Sequence, residues 1–354
     1  MSRELKFFQA INEATDLCMS QDPNVYVMGL GVPDPKGIFG TTLGLEKKYG
    51  SRRVMDMPTS ENGMTGVAIG SALVGMRPII VHQRIDFALL AMDQIVNQAA
   101  KWHYIFGGKM SLPLVIRMVI GRGWGQGPQH SQSLQAWFAH VPGLKVVMPA
   151  TPYDAKGLLL ASVEDNNPVI FIEHRWLHNA FGHVPEGIYS VPLGQARIAK
   201  EGNDVTIVTF SYGVPEALQT AELLNRAGIQ AEVVDLRTLR PLDSRLIIES
   251  VCKTGRLIVM DTGWKFGGFG SEIVSLVVEE AFSNLKSAPR RLGMPDCPVP
   301  TSPALAKFCY PSTKELVVTA CDMFQISTEK LFSSEEEIAL GRSDVPYSQF
   351  AGPF

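Results

Sequence analysis

The chain has 354 residues, more than a single hydrophobic core fills, so two domains are expected. Hydrophobic residues make up 45% and charged residues 19%, and a net charge of −3 with a pI of about 6.2 excludes a surface steered toward nucleic acid or anionic lipid. No charge-free apolar run reaches the roughly 18 residues of a membrane span, and five scattered cysteines (Cys18, Cys252, Cys297, Cys309, Cys321) point to reduced thiols in a cytoplasm, not a disulfide frame or zinc site.

In chain order, MSRELKFFQAINEATDLC has the period of an amphipathic helix and the wrong flanks for a signal peptide. VYVMGL (25–30), PIIVHQ (78–83), PLVIRMVI (113–120), LKVVMP (144–149) and PVIFIE (168–173) are Val- and Ile-rich runs of the kind found in strands covered on both faces. Between them 61–76, 86–106 and 152–165 are predicted helices. The first, ENGMTGVAIGSALVGM, is smooth enough to be deeply buried or to meet another subunit. A Pro- and Gly-spaced stretch, VPEGIYSVPLGQARIAKEGN, then resembles a linker with a strand at 194–199. Strands 204–210, 230–236 and 256–261 alternate with helices 214–227, 243–252 and 270–285 after it. The expected fold class is α/β, with two parallel-sheet, three-layer domains: 1–190, a linker 191–203, 204–327, and a polar tail 328–354.

All seven histidines fall between His82 and His183, which draws attention to the first domain. Glu61 follows the turn Pro58-Thr59-Ser60 and opens a nearly charge-free helix. Either Ser60 is an N-cap with Glu61 helping the dipole, or the carboxylate is buried and suited to proton handling. GRGWGQGPQHSQS (121–133) lacks both the dinucleotide fingerprint and the Lys-Ser/Thr of a phosphate loop. His130 follows its glycines, before a helix expected near Ser131, as either a cap or an acid–base group. His174, His178 and His183 look like a metal trio, but Asn179, Gly182 and Pro185 exclude the helix that would align 174 with 178, leaving a polar loop over a pocket or subunit contact. GWKFGGFGSEI (263–273) reads as turn chemistry opening a helix with Glu272 in its first turn, with anion binding as the other reading.

Taken together, MPTSENGMTGVAIGSALVGMRPII, DFALLAMDQIVNQAAKWHYIFGG, GPQHSQSLQAWFAHVPGLKVVMPATPYDAKGLL and EDNNPVIFIE resemble the beta subunit of 2-oxo acid dehydrogenases of the pyruvate and branched-chain type. DLRTLRPLD, KTGRLIVMDTGW and GGFGSEI extend the resemblance over roughly residues 4–324. It implies a transketolase pyrimidine-binding domain followed by a transketolase C-terminal domain. It also implies thiamine diphosphate shared with an alpha subunit in an α2β2 tetramer, and a lipoyl acyltransferase as a further partner. Carried over by position, Glu61 would hold N1′ of the aminopyrimidine, Phe87 would pack on that ring, and His130 would stand near the reacting carbons. Gln83 joins the cofactor-binding set. Leu114, Ser162, Val163, Asp165 and Asn167 match a monovalent-cation site suited to K+. The Gly-Asp-Gly and Asn-Asn motif for diphosphate and Mg2+ is missing, since Asn166-Asn167 has no Gly-Asp-Gly before it. The resemblance therefore assigns Mg2+ to an alpha chain.

His82, Gln83 and Arg84, together with HRWLHNAFGHVPEG (174–187) and DCPVPTSPALAKFCYP (296–311), depart from pyruvate-type subunits and leave the substrate and acceptor open. Two other classes compete: half of a split transketolase-like ketol transferase, and a catalytically silent docking subunit.

Overall fold

Residues 3–123, 125–328 and 331–332 are described in the computed structural model. The apolar runs of the first half form a seven-stranded sheet in the order Thr238–Arg240, Lys145–Val147, Val169–His174, Val115–Ile120, Arg77–His82, Val25–Met28, Val54–Met55. Neighbours are parallel except at the Thr238–Arg240 edge, which is contributed from beyond the linker and pairs antiparallel with Lys145–Val147. Helices Phe7–Gln21 and Pro152–Glu164 cover one face, and Glu61–Leu73 with the stretch 87–105 cover the other. That double cover is why these strands are continuous in Val and Ile instead of alternating.

A second sheet runs Arg290–Met294, Leu257–Trp264, Val205–Thr209, Ala231–Asp235, Arg197–Lys200, and again only an edge strand, Arg197–Lys200, is antiparallel. Gly213–Arg226 and Thr313–Phe324 cover one side, Ser244–Thr254 and Phe269–Ala281 the other. Ile247, Val251 and Ile273 on that second side share one apolar core with Leu134 and Phe138 of the first unit. Polar ties cross the same boundary: Gln135 Nε2 donates to Asp261 at 2.6 Å, and Asp154 meets Arg237 Nη2 at 2.8 Å and Arg197 Nε at 3.6 Å. Burial, then the nearby Asp154, pushes Asp235 up to about 6 against the pull of the two guanidinium groups.

Several elements differ from the pattern that the sequence predicts. Glu4–Lys6 is a strand paired with Phe181–His183, so the first helix begins only at Phe7. The partner lies far along the chain and leaves no local signal. The predicted helix 86–106 breaks into a 3₁₀ turn Phe87–Ala91, a π segment Asp93–Ala99 and an α turn Ala100–Ile105; π turns concentrate at functional sites. Helix 61–76 stops at Leu73, ahead of Gly75 at φ +100°. It is not deeply buried, because Asn62, Gly63, Val67 and Gly70 form an exposed stripe in this chain. The strand expected at 194–199 lies at Arg197–Lys200. The tail from 328 lies outside the described residues apart from 328, 331 and 332. Among the described residues no helix is long and apolar enough to cross a membrane, and all five cysteines are free.

Candidate active site

Strands Arg77–His82, Val115–Ile120 and Val169–His174 end together, and the carboxyl rim of an open α/β sheet is where ligands bind. Beside that rim, Glu61 is the first residue of its helix. Ser60 precedes it as N-cap but makes no side-chain cap hydrogen bond, so the helix-capping reading is not realised by its hydroxyl. The Glu61 side chain belongs to a residue only 4% exposed, and no described residue hydrogen-bonds or ion-pairs with its carboxylate. One turn on, the hydroxyl of Thr65 is buried and also unpartnered. A carboxylate in a buried residue with no partner of its own is open to an external donor.

The segment after strand Arg77–His82 carries most of the remaining polar groups. Gln83 Nε2 donates to the Leu30 carbonyl at 3.0 Å, turning its amide toward the neighbouring strand's loop. Arg84 Nη1 donates to the carbonyls of Gly121 at 2.6 Å and His130 at 3.1 Å. Burial holds the Arg84 guanidinium down to about 10, with Asp86 and Tyr310 opposing the shift. The Phe87 ring lies 5.4 Å from the His130 ring at 40°, and helix Glu61–Leu73 packs on the turn Phe87–Ala91. Phe87 and His130 therefore meet, the helix that Glu61 opens packs on the turn that Phe87 opens, and Gln83 precedes that turn in the same segment.

His130 does not sit at a helix start: the next helix is Gln135–His140, and His130 stays in the loop with its side chain 44% exposed. Its Nδ1 meets Asp86 Oδ2 at 2.8 Å. Asp86 was not singled out in the sequence, although it is the only acid in IIVHQRIDF. The glycine-rich loop is fixed where Gly121 takes φ +89°; a Cβ there would come 2.6 Å from His174 Cε1. From the second domain, Thr301 closes on the loop, accepting from Arg122 Nη2 through its carbonyl.

The three-histidine cluster disperses. His183 is exposed with Nδ1 near the Arg3 carbonyl at 3.1 Å, whereas His174 and His178 are buried inside rather than lying in a loop over a pocket. His174 stacks on Tyr212 at 5.0 Å and 20°, and His178 Nε2 contacts Glu173 Oε2 at 3.2 Å. Among the described residues no group of three His, Cys, Asp or Glu side chains could hold a metal. The helix start at Phe269–Ala281 is occupied by the chain itself, since Asp261 Oδ2 accepts from the Phe269 amide at 3.2 Å.

Leu114, Ser162, Val163, Asp165 and Asn167 supply a group of carbonyls and one carboxylate, but protein donors already use Leu114, Val163 and Asp165. Arg77 Nη1 donates to the Val163 carbonyl at 2.8 Å and to that of Asp165 at 3.3 Å. The Leu114 carbonyl accepts from Val169 N at 2.9 Å, and Lys145 pairs with the Asp165 carboxylate.

Burial without a partner pushes His82 down to about 4; burial, with help from His178 and Arg84, pushes His174 down to about 3. Both folded values lie below the unfolded value of 6.5, so each ring contributes full stability above 6.5 and loses it as pH falls. Between 6.5 and about 4 each imidazole is expected to cost ~1.4 kcal/mol per pH unit. Urea midpoints measured across that window should fall steeply, and His82→Phe should flatten the slope by about one proton.

Two family descriptions match the chain: the transketolase pyrimidine-binding domain over residues 3–179 and the transketolase C-terminal domain over 194–316. The chain is similar to the acetoin:2,6-dichlorophenolindophenol oxidoreductase subunit beta of Cupriavidus necator, 46% identical over 90% of this chain and 97% of that one. The Bacillus subtilis protein of the same description is 41% identical over 91% and 98%. The pyruvate dehydrogenase E1 component subunit beta of Rickettsia felis is 43% identical over 87% and 95%. Among solved structures, a split-gene transketolase described as an inactive beta4 tetramer superposes with a TM-score of 0.72 at 24% identity, covering 91% of this chain and 99% of that one; it shares the fold.

Proposed function

We propose a function that starts from kinship, because the chain belongs to the family of 2-oxo acid dehydrogenase beta subunits built from transketolase pyrimidine-binding and C-terminal domains. In this reading it is one half of a heteromeric thiamine-diphosphate enzyme that oxidatively decarboxylates a 2-oxo acid and passes the acyl group to a lipoyl or other acceptor. The observation that carries the reading is the carboxylate of Glu61, at the start of a helix that packs on the turn Phe87–Ala91, in a buried residue and without a partner among the described residues. An aminopyrimidine suits that carboxylate in hydrogen bonding, since its ring nitrogen would give it the partner that no described residue supplies.

Thiamine diphosphate, when bound, supplies a nucleophilic carbon that adds to the substrate carbonyl and accepts the electron pair released with CO2. Glu61 would hold the proton at N1′ of the pyrimidine, Phe87 would fix the ring's angle by stacking, and Gln83 would border it. His130, half open to solvent, would move a proton at the acceptor. Diphosphate and Mg2+ would be held by an alpha subunit, because the sequence lacks that motif. The exposed stripe Asn62, Gly63, Val67 and Gly70, with exposed Leu90, Tyr104 and Ile105, supports a subunit contact on that side.

Co-expression with the alpha chain should give a complex that releases CO2 from a panel of 2-oxo acids with a dye as electron acceptor; no turnover of any member would overturn the reading. The chain alone is expected to bind thiamine diphosphate weakly by calorimetry, and tight Mg2+-dependent binding without the alpha chain would contradict the division of labour. A K+ ion at Leu114, Ser162, Val163, Asp165 and Asn167 belongs to the same proposal. Exchanging K+ for Na+ should then lower the Tm of the complex, and an unmoved Tm would leave Arg77 and Lys145 as the cations of that cluster.

The similarity to acetoin-oxidising beta subunits favours a second reading, in which the donor is a hydroxyketone and an aldehyde leaves in place of CO2. Including acetoin in the panel, with aldehyde assayed as product, separates the two.

A further inference from the structure

The turn Gln83 to Phe87 and the loop ending at His130 are 44 residues apart in sequence at their closest functional contact, yet they form one unit. Asp86 Oδ2 lies 2.8 Å from His130 Nδ1, the length of a charge-assisted hydrogen bond. Arg84 ties the same turn to the His130 carbonyl, and the Phe87 ring leans on the imidazole. The Asp86 side chain is 11% exposed and that of His130 is 44% exposed, so the pair has a buried end and an open end. With Nδ1 turned to Asp86, Nε2 is the ring nitrogen that remains for another partner.

Resting on the functional reading above, we propose that Asp86 is a positioning residue for His130: it keeps the neutral ring in the Nδ1–H tautomer and presents a bare Nε2 to the reacting atoms. The ring nitrogen that carries the proton is set by the hydrogen bond the other nitrogen's neighbour makes. Neutral imidazole in water prefers the proton on Nε2, which would leave His130 unable to accept a proton at its open end. With Asp86 in place, a hydroxyl or thiol of the substrate or acceptor gives its proton to Nε2, its oxygen or sulfur keeps the bonding electron pair, and the resulting imidazolium faces the Asp86 carboxylate. The proton moves only between that hydroxyl or thiol and Nε2, and the reverse transfer returns it.

The opposing account is that the pair only pins a loop, as partly exposed ion pairs do. The two differ in a property that needs neither cofactor nor substrate. In the assembled complex, with histidines of this chain labelled with 15N and His130→Gln used to assign the signal, the neutral His130 ring should carry its proton on Nδ1. In Asp86→Asn it should shift toward Nε2–H, and Asp86→Glu should restore the original tautomer. The kcat of the loaded complex should fall about 10–100-fold in Asp86→Asn, as when a group supporting a working residue is removed, with KM for the 2-oxo acid nearly constant. An Nε2–H ring in the unaltered protein overturns the proposal without any variant. So does an unchanged tautomer in Asp86→Asn, or a changed tautomer with unchanged kcat. Failure of the functional reading has a separate signature: His130→Gln would keep full kcat although the unaltered protein shows the Nδ1–H ring.

Discussion

Glu61→Gln in the complex with the alpha chain should lower kcat for decarboxylation by about 10²–10⁴-fold, the range of a lost general acid–base group, while Tm holds. The two halves of that expectation have one cause. The Glu61 carboxylate makes no hydrogen bond or ion pair with any described residue, and the Ser60 hydroxyl beside it caps nothing. Removing its charge therefore breaks no contact in the folded chain. Gln keeps the shape, so the pocket stays filled. What is lost is the ability to hold and share a proton with a bound base, which the folded chain itself never uses. Activity lost without loss of stability at one residue is a signature of function. Thermal melts and dye-linked turnover on the same preparation test both halves. Unaffected decarboxylation would return the docking-subunit reading.

How much of this was legible in the sequence follows from where each partner sits. The strands were legible because burial on both faces leaves Val-Ile runs, and VYVM, PIIV, VIRMVI and VIFIE all became strands of one sheet. Glu61 was legible as a charge opening an uncharged helix. The Asp86–His130 contact was not, because only the pairing of Arg77–His82 with Val115–Ile120 brings the residues following each strand onto one rim. The same holds for Glu4–Lys6, which is a strand only because Phe181–His183 lies beside it. Three histidines within ten residues looked like a unit, yet the chain turns through Arg175–Leu177 between the first two and they end on different neighbours. One signal was present and unused: Arg117, a lone charge inside PLVIRMVI, must find a partner in a strand with no exposed face. Glu173, at the end of PVIFIE, is that partner.

The second large effect falls on this pair. Arg117 and Glu173 are fully buried on adjacent strands, with Nη2–Oε1 at 2.6 Å and Nε–Oε1 at 2.7 Å. Burial alone would raise the Glu173 pKa, but the Arg117 charge and the His178 contact outweigh it and the net shift is downward. Its contribution is therefore present above the unfolded carboxylate value of 4.5 and is lost as pH falls through the lower folded value. Glu173→Gln should destabilise the chain by about 3–5 kcal/mol, because a guanidinium is left buried without its counter-charge. The double variant Arg117→Met with Glu173→Leu should come back close to the original stability, since apolar replacement of a buried ion pair is often neutral or better. Urea unfolding of the three proteins tests this; a double variant as unstable as the single one would mean the pair holds more than itself. There is a route for that. His178, on the other side of Glu173, stacks on Phe7 at 5.9 Å, and its carbonyl accepts from Phe8 N at 3.1 Å, which ties the first helix to the strand end next to His174 and Gly121. If the double variant recovers stability but not turnover, the ion pair acts on the active site through that chain of contacts, by setting where the glycine-rich loop and His130 begin.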